Sequence, residues 1–224
     1  MLEASRAAIL ERLSETDIVL DVGGWARPFA RADWVVDLLP YETRGLYGHD
    51  QGSPDDERFG ADTWVRRDIC DREPWPFQDG RFDFAICSHT LEDVRDPVWV
   101  CSELARVARA GYVEVPSRLA EQSFGVQGEW VGWGHHHWLV EIADGELTFV
   151  FKPHVLHGRP EMQFPVGFYE ALPEERRVQT LFWEGALPAR ERVFVGLGEI
   201  DDYLAAIVAE HRGQGRRRGR LRRR

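Results

Sequence analysis

The sequence is short of the residues that would place it in several large classes. It has a single lysine, Lys152, beside 27 arginines, a bias of composition that carries no mechanism by itself. It has three cysteines, Cys70, Cys87 and Cys101. So small and odd a number argues against a disulfide framework. Two of them fall in apolar stretches, where a thiol packs as a small hydrophobe. No apolar run approaches the roughly 18 residues needed to cross a bilayer. The opening MLEASRAAILERL reads as an amphipathic helix of mixed charge and not as a signal peptide. There is no internal repeat. These absences point to a soluble, cytoplasmic protein with no membrane partner.

What is present is a chain of 224 residues, 43% apolar. That composition can bury a proper core, and the length suits one domain of about 150 to 200 residues with decorations. The net charge of −10 hides an asymmetry. The last 14 residues, HRGQGRRRGRLRRR, hold eight arginines and no acid; without them the body has 20 basic against 38 acidic residues, near −18. Such a body argues against a nucleic-acid footprint on the folded domain. The arginine tail is the one place where a polyanion would attach. With no apolar face to fold on, it reads first as a disordered, solvated end.

Residues 2–13 read as a helix, with Leu2, Ile9, Leu10 and Leu13 on one side. Ile18 to Val22 is a short apolar run suited to a buried parallel strand, and Gly23 and Gly24 end it. Trp34 to Val36, closed by Asp37, is the next strand. Residues 40–61 are rich in Gly, Pro and Asp and read as a loop. Thr63 to Arg67 is a third strand, followed by Asp68. Phe82 to Cys87 is the fourth. Asp96 and Pro97 then open a helix, as a favoured N-cap and a favoured first helical residue. Gly111 is expected to end that helix, and Tyr112 to Val115 is the fifth strand. Such alternation predicts a doubly wound sheet. Ligands of open α/β sheets sit beyond the carboxyl ends of the strands. Asp37, Asp68, Ser88, His89, Glu92 and Asp93 all fall there.

After Pro116 the pattern changes. WLVEI (138–142) and LTFVF (147–151) flank ADGE and predict a hairpin. Val178 to Trp183 and Arg192 to Val195 look like a further pair. Asp201 to His211 reads as a short last helix.

Four stretches in order resemble the class I S-adenosylmethionine-dependent methyltransferases, of the broad type 11 group. DVGGWARPF resembles their glycine-rich first motif, and Asp37 the acid that ends strand two. RRDICDREPWPFQDGRFDFAICSHTLEDVRDP resembles the run from the adenine-contacting acid to the motif after strand four. ELARVARAGYVEVPS resembles the helix and strand that follow. The resemblance covers residues 18–116, about half the chain. It implies an α/β fold with a doubly wound, mostly parallel sheet (the Rossmann-like methyltransferase fold), here with a β-hairpin insertion after strand five. It implies S-adenosyl-L-methionine as cofactor, held by Asp21, Gly23, Gly24, Asp37, Asp68, Ile69, Ser88 and His89. The activity implied is methyl transfer to a small-molecule O- or N-acceptor. The alternative is a non-catalytic module of the same fold that docks through its arginine tail.

The departures are specific. Trp25 and Arg27 stand where the family has its later glycines. Only 16 positions separate Asp21 from Asp37, short of the roughly 20 usual in nucleotide-binding folds, so the first crossover helix must be clipped and Trp25 or Arg27 would reach the cofactor. Glu92-Asp93 stands where many relatives have Glu-His, so a histidine role there would have to move.

Five of eight histidines cluster between positions 135 and 157: His135, His136, His137, His154 and His157. In an extended segment His135 and His137 share one face and His136 faces the other way. His137, or else His135, is the expected general base, since imidazole titrates near working pH. A metal site built on these pairs with Glu129 or Glu141 is the other use of such residues; no metal ligand is assigned. The organisation expected is one domain over 1–205: a cofactor-binding half (1–116), a substrate or lid insertion (117–165), and terminal antiparallel strands with the start of the last helix (166–205). Residues 206–224 would be the helix end and disordered tail.

Overall fold

The computed structural model describes residues 1–49 and 54–221. In chain order the helices are α1 (Glu3–Arg12), α2 (Pro97–Val107), α3 (Arg118–Glu121), α4 (Phe168–Ala171), α5 (Glu174–Arg177) and α6 (Leu197–Leu221). The strands are β1 (Val19–Val22), β2 (Trp34–Asp37), β3 (Trp64–Arg66), β4 (Phe82–Ser88), β5 (Ala108–Pro116), β6 (Trp138–Ala143), β7 (Glu146–Phe151), β8 (Val178–Glu184) and β9 (Ala189–Glu191). The main sheet has the order β3-β2-β1-β4-β5-β8. Its first five strands are parallel and β8 runs antiparallel to β5. This is a mostly parallel, Rossmann-like sheet. β6, β7 and β9 form a second sheet of three strands.

The central strands form where the apolar runs are unbroken, because a parallel strand is covered on both faces. All four residues of β1 are buried. One face packs Leu20, Val22, Cys87 and Val113 against α2 residues Val100, Leu104 and Val107, against Trp75, and against Val140 and Phe149 of the small sheet. The other packs Val19, Val35, Ile86 and Tyr112 against Ile9 of α1, the loop aromatics Phe29 and Phe59, and Trp64 of β3. α2 starts at the expected cap, with Asp96 Oδ1 accepting from the Trp99 N–H at 3.1 Å.

Four expectations are corrected. The β1–β2 crossover is not a clipped helix; residues 23–33 contain no helix at all. Aromatic and small side chains (Phe29, Ala30, Ala32) fill that face instead. Gly111 does not stop α2, which passes into β5 at Ala108. It lies within the strand, where a Cβ would fall 2.4 Å from the Ala85 carbonyl and 2.5 Å from the Trp183 ring. The run after residue 178 does not make its own hairpin. β8 instead covers the open edge of β5, which removes a row of unpaired backbone groups, while β9, three residues earlier than the expected strand, pairs parallel with β7. Finally, the last helix begins at Leu197 and its backbone continues to Leu221 through most of the arginine stretch expected to be disordered. No proline interrupts it, and arginine is a good helix former. Residues 222–224 of that tail lie outside the described residues. Among the described residues no helix is long and apolar enough to cross a membrane.

The β6–β7 hairpin turns at Asp144 and Gly145, both with positive φ (52° and 79°). That geometry suits a two-residue turn matched to strand twist.

Candidate functional site

The carboxyl ends of β1, β2, β3 and β4 and the segment 127–137 enclose two adjoining cavities of about 520 Å³ each. Both are lined by Gly23, Ala26, Tyr47, His89, Asp93 and His135, so they meet there. One extends to Asp37, Asp68 and Ile69. The other extends to Asp21, Gly24, Ser88, Glu92, Trp133 and His136. All eight residues expected at a cofactor site therefore border this pair of cavities, and Asp37 and Asp68 share one of them. Trp25 lines the Asp37 cavity and Arg27 the other.

The glycine turn is built by sterics and by two acids. Gly23 has φ +76°, and a Cβ there would lie 2.3 Å from Thr90 Oγ1. At Gly24 a Cβ would lie 2.2 Å from Asp21 Oδ2. That oxygen accepts from the Phe29 N–H at 2.9 Å. Asp37 accepts from Trp25 N–H (3.0 Å) through Oδ2 and from Leu39 N–H (2.8 Å) through Oδ1. The two carboxylates thus pin both ends of a crossover that lacks a helix. Burial raises the Asp37 pKa above its ordinary value despite the N–H groups of Leu39 and Trp25. A carboxylate can accept about four hydrogen bonds, so Asp37 has acceptor capacity left for a ribose hydroxyl. Asp68 accepts from the Cys70 N–H and pairs with Arg95. Burial pushes its pKa up, but Arg95 and Cys70 outweigh this and the net shift is downward. The Ile69 carbonyl accepts from Trp75 Nε1–H at 3.0 Å.

His89 sits at the junction of the cavities in the left-handed region, φ 54°. Its Nε2 lies 3.0 Å from Glu114 Oε1 and its Nδ1 3.4 Å from Glu92 Oε1. Burial alone would lower its pKa; the two carboxylates win and raise it to about 9. Glu114, on β5, also accepts from Tyr112 O–H and Leu2 N–H, and the Met1 amine lies 3.4 Å away. Burial works against its charge, yet these partners, His89 first, hold its pKa down at about 2. Ser88 Oγ and both Glu92 carboxylate oxygens are buried without a hydrogen-bond partner, and both residues line the cavity. Such orphans mark a place where a ligand or water completes the set.

The three adjacent histidines differ in burial. His135, in a turn, and His137 are both exposed; His135 borders both cavities and His137 only the Asp37 cavity. His136 is the buried member. Its Nδ1 is hydrogen-bonded to Glu121, and Glu121 Oε2 to Lys152 Nζ at 2.9 Å. The ring stacks on Trp133 at 4.9 Å between centroids. Burial pulls its pKa down, and Glu121, then Glu92 and Asp93, turn the net shift upward. Asp93 is pushed up to about 7, by burial first and by Glu92 and Glu121 against the pull of His136 and His89. Alternation signalled that His136 stands apart from its neighbours. It could not tell which face turned inward, and Glu121 and Lys152 lie too far along the chain for spacing to join them. His157 is placed elsewhere, with Nδ1 accepting from Val131 N–H at 3.3 Å, and neither it nor His154 borders the cavities.

Residues 50–113 match the family described as Methyltransferase domain, the type 11 group. The match spans less than a third of the chain and begins after Asp37. It supports the class I resemblance and implies S-adenosylmethionine as cofactor. No curated protein matches the chain. Among solved structures, a SAM-dependent methyltransferase from Aquifex aeolicus is similar at 16% identity and TM-score 0.36, over 50% of this chain and 64% of that one. The YcgJ protein of Bacillus subtilis is similar at 16% identity and TM-score 0.38, over 52% of each chain. A chain from the complex of the Haloferax volcanii Trm112 methyltransferase activator with a methyltransferase is similar at 16% identity and TM-score 0.41, over 84% of this chain and 90% of that one. This chain thus spans between about half and two thirds of the first two.

Proposed function

We propose that the protein transfers a methyl group from S-adenosylmethionine to the oxygen or nitrogen of a small molecule. The observation that bears most of this reading is the pair of joined cavities. One has strand-tip acids, Asp37 and Asp68, suited to the ribose and adenine; the other has polar and aromatic groups, Asp93, His136 and Trp133, suited to an acceptor. The donor's sulfonium methyl would lie at their junction, near Gly23 and His89. Displacement at that methyl needs little covalent help. Alignment of acceptor, methyl and sulfur supplies up to about 7–11 kcal/mol.

A second reading, a binding module without chemistry, draws on the helix missing from residues 23–33, which removes a helix N-terminus from the donor's carboxylate end. Calorimetric titration with S-adenosylmethionine, then a methyl-donor assay over O- and N-acceptor panels, separates the two. Binding with turnover supports the enzyme. No heat at millimolar donor defeats it.

A further inference from the structure

We infer that Asp93, His135 and His136 form a binding site for a divalent cation of the zinc class on the acceptor side of the cavity. One donor atom from each residue lies within 4.8 Å of the others. Asp93 Oδ1 is 3.6 Å from His136 Nε2 and 4.0 Å from His135 Nε2. Ligands about 2.0–2.1 Å from a tetrahedral zinc stand roughly 3.3 Å apart, so the Asp93–His136 edge must close by about 0.3 Å and the Asp93–His135 edge by about 0.7 Å, with His135, exposed in its turn, swinging inward.

Three further observations point the same way. Asp93 Oδ1 is buried with no hydrogen-bond partner, and a carboxylate oxygen can only accept. His136 Nδ1 is committed to Glu121, which fixes the ring and leaves Nε2 for a ligand. A metal-bound histidine characteristically donates its other N–H to a carboxylate in this way. That carboxylate is held by Lys152, whose Nζ also donates to the Trp133 carbonyl at 2.9 Å, so the support is rigid and buried. Glu92, whose buried oxygens have no hydrogen-bond partner and only the longer ion-pair contact to His89, lines the same cavity. Two imidazole nitrogens and one carboxylate oxygen suit zinc, cobalt and nickel better than calcium or magnesium. Three protein ligands leave positions open toward the cavity. An acceptor hydroxyl or amine bound there would lose its proton more readily. That last use rests on the methyl-transfer reading; cation binding does not.

The test uses the full chain, stripped with chelator and titrated with Zn²⁺ and then Co²⁺ without donor. One equivalent should bind, with visible cobalt absorption of a low-coordinate site. His135→Ala and Asp93→Asn should abolish stoichiometric uptake while circular dichroism and melting stay near wild type. Glu121→Gln should weaken it about 10–100-fold, and His154→Ala should leave it intact. Failure of the stripped protein to take up an equivalent overturns the inference. So does uptake unchanged in His135→Ala and Asp93→Asn. S-adenosylhomocysteine titration, run separately, reports the donor site, so loss of one reading leaves the other measurable.

Discussion

Replacing Glu114 by glutamine should cost the fold about 3 kcal/mol near pH 6 and change the shape of its pH profile. Glu114 is fully buried in β5 and its pKa is held at about 2 instead of 4.5. At 1.36 kcal/mol per unit that displacement amounts to about 3 kcal/mol. His89, raised from 6.5 to about 9, is the same contact seen from the other side, so the amounts do not add. Its ring is 41% exposed, and solvent screening reduces its limb to about 1–2 kcal/mol. The signs follow from linkage. The folded Glu114 pKa is depressed, so its contribution is full above 4.5 and disappears as pH falls toward 2. The folded His89 pKa is raised, so its contribution is full below 6.5 and is lost as pH rises through 9. Stability from this contact therefore peaks between about pH 4.5 and 6.5. Urea unfolding followed by tryptophan fluorescence, from pH 3 to 10, measures it. Glu114→Gln should lower the plateau and flatten both limbs, leaving His89 only Glu92. A variant whose profile runs parallel to the wild type, or lies within about 0.5 kcal/mol of it, would refute the reasoning.

Gly111→Ala should destabilise by at least about 1–3 kcal/mol, because the new methyl meets both a backbone carbonyl and Trp183; a lower urea midpoint with unchanged slope checks this. Lys152→Met should cost about 3 kcal/mol by stranding Glu121 with His136 alone, and Lys152→Met combined with Glu121→Gln should recover much of it; a double-mutant cycle reads the coupling. Asp37→Asn should leave stability within about 1 kcal/mol, since losing a buried charge offsets an amide turned against a backbone N–H. Its affinity for S-adenosylhomocysteine should nevertheless fall more than about tenfold, as expected when a charged acceptor of hydroxyls is removed; equal affinity by calorimetry would take Asp37 out of the donor site.

The parallel strands were legible because burial on both faces leaves contiguous apolar runs, and α2 because Asp96 and Pro97 mark a helix start unambiguously. Gly111 was misread because one residue type serves two physical ends. Glycine stops helices, and it also admits a neighbour into a strand; only the approach of Trp183 decides which. β9 carried no signal, being three residues whose pairing is set by the free edge of β7. The missing crossover helix was half legible. The 16-residue spacing from Asp21 to Asp37 and Pro28 announced a short connection, but replacement by buried Phe29 and two carboxylates is a tertiary solution.

That solution also bears on the site. In a crossover with a helix, the N-terminal amides would face the donor's carboxylate end. Here the amides nearest the turn are turned inward instead: Gly23 N–H bonds to the Val36 carbonyl, Trp25 N–H to Asp37 and Phe29 N–H to Asp21. Each is spent on holding the loop. Gly24, Ala26 and Arg27 border the adjoining cavity, and Arg27 brings a guanidinium to that wall. We propose that Arg27, where the family has a glycine, supplies the positive charge for an anion in that cavity. Arg27→Ala should therefore weaken S-adenosylhomocysteine more than 5′-methylthioadenosine, which lacks the amino-acid carboxylate. Equal losses for the two ligands would show that Arg27 only packs the wall.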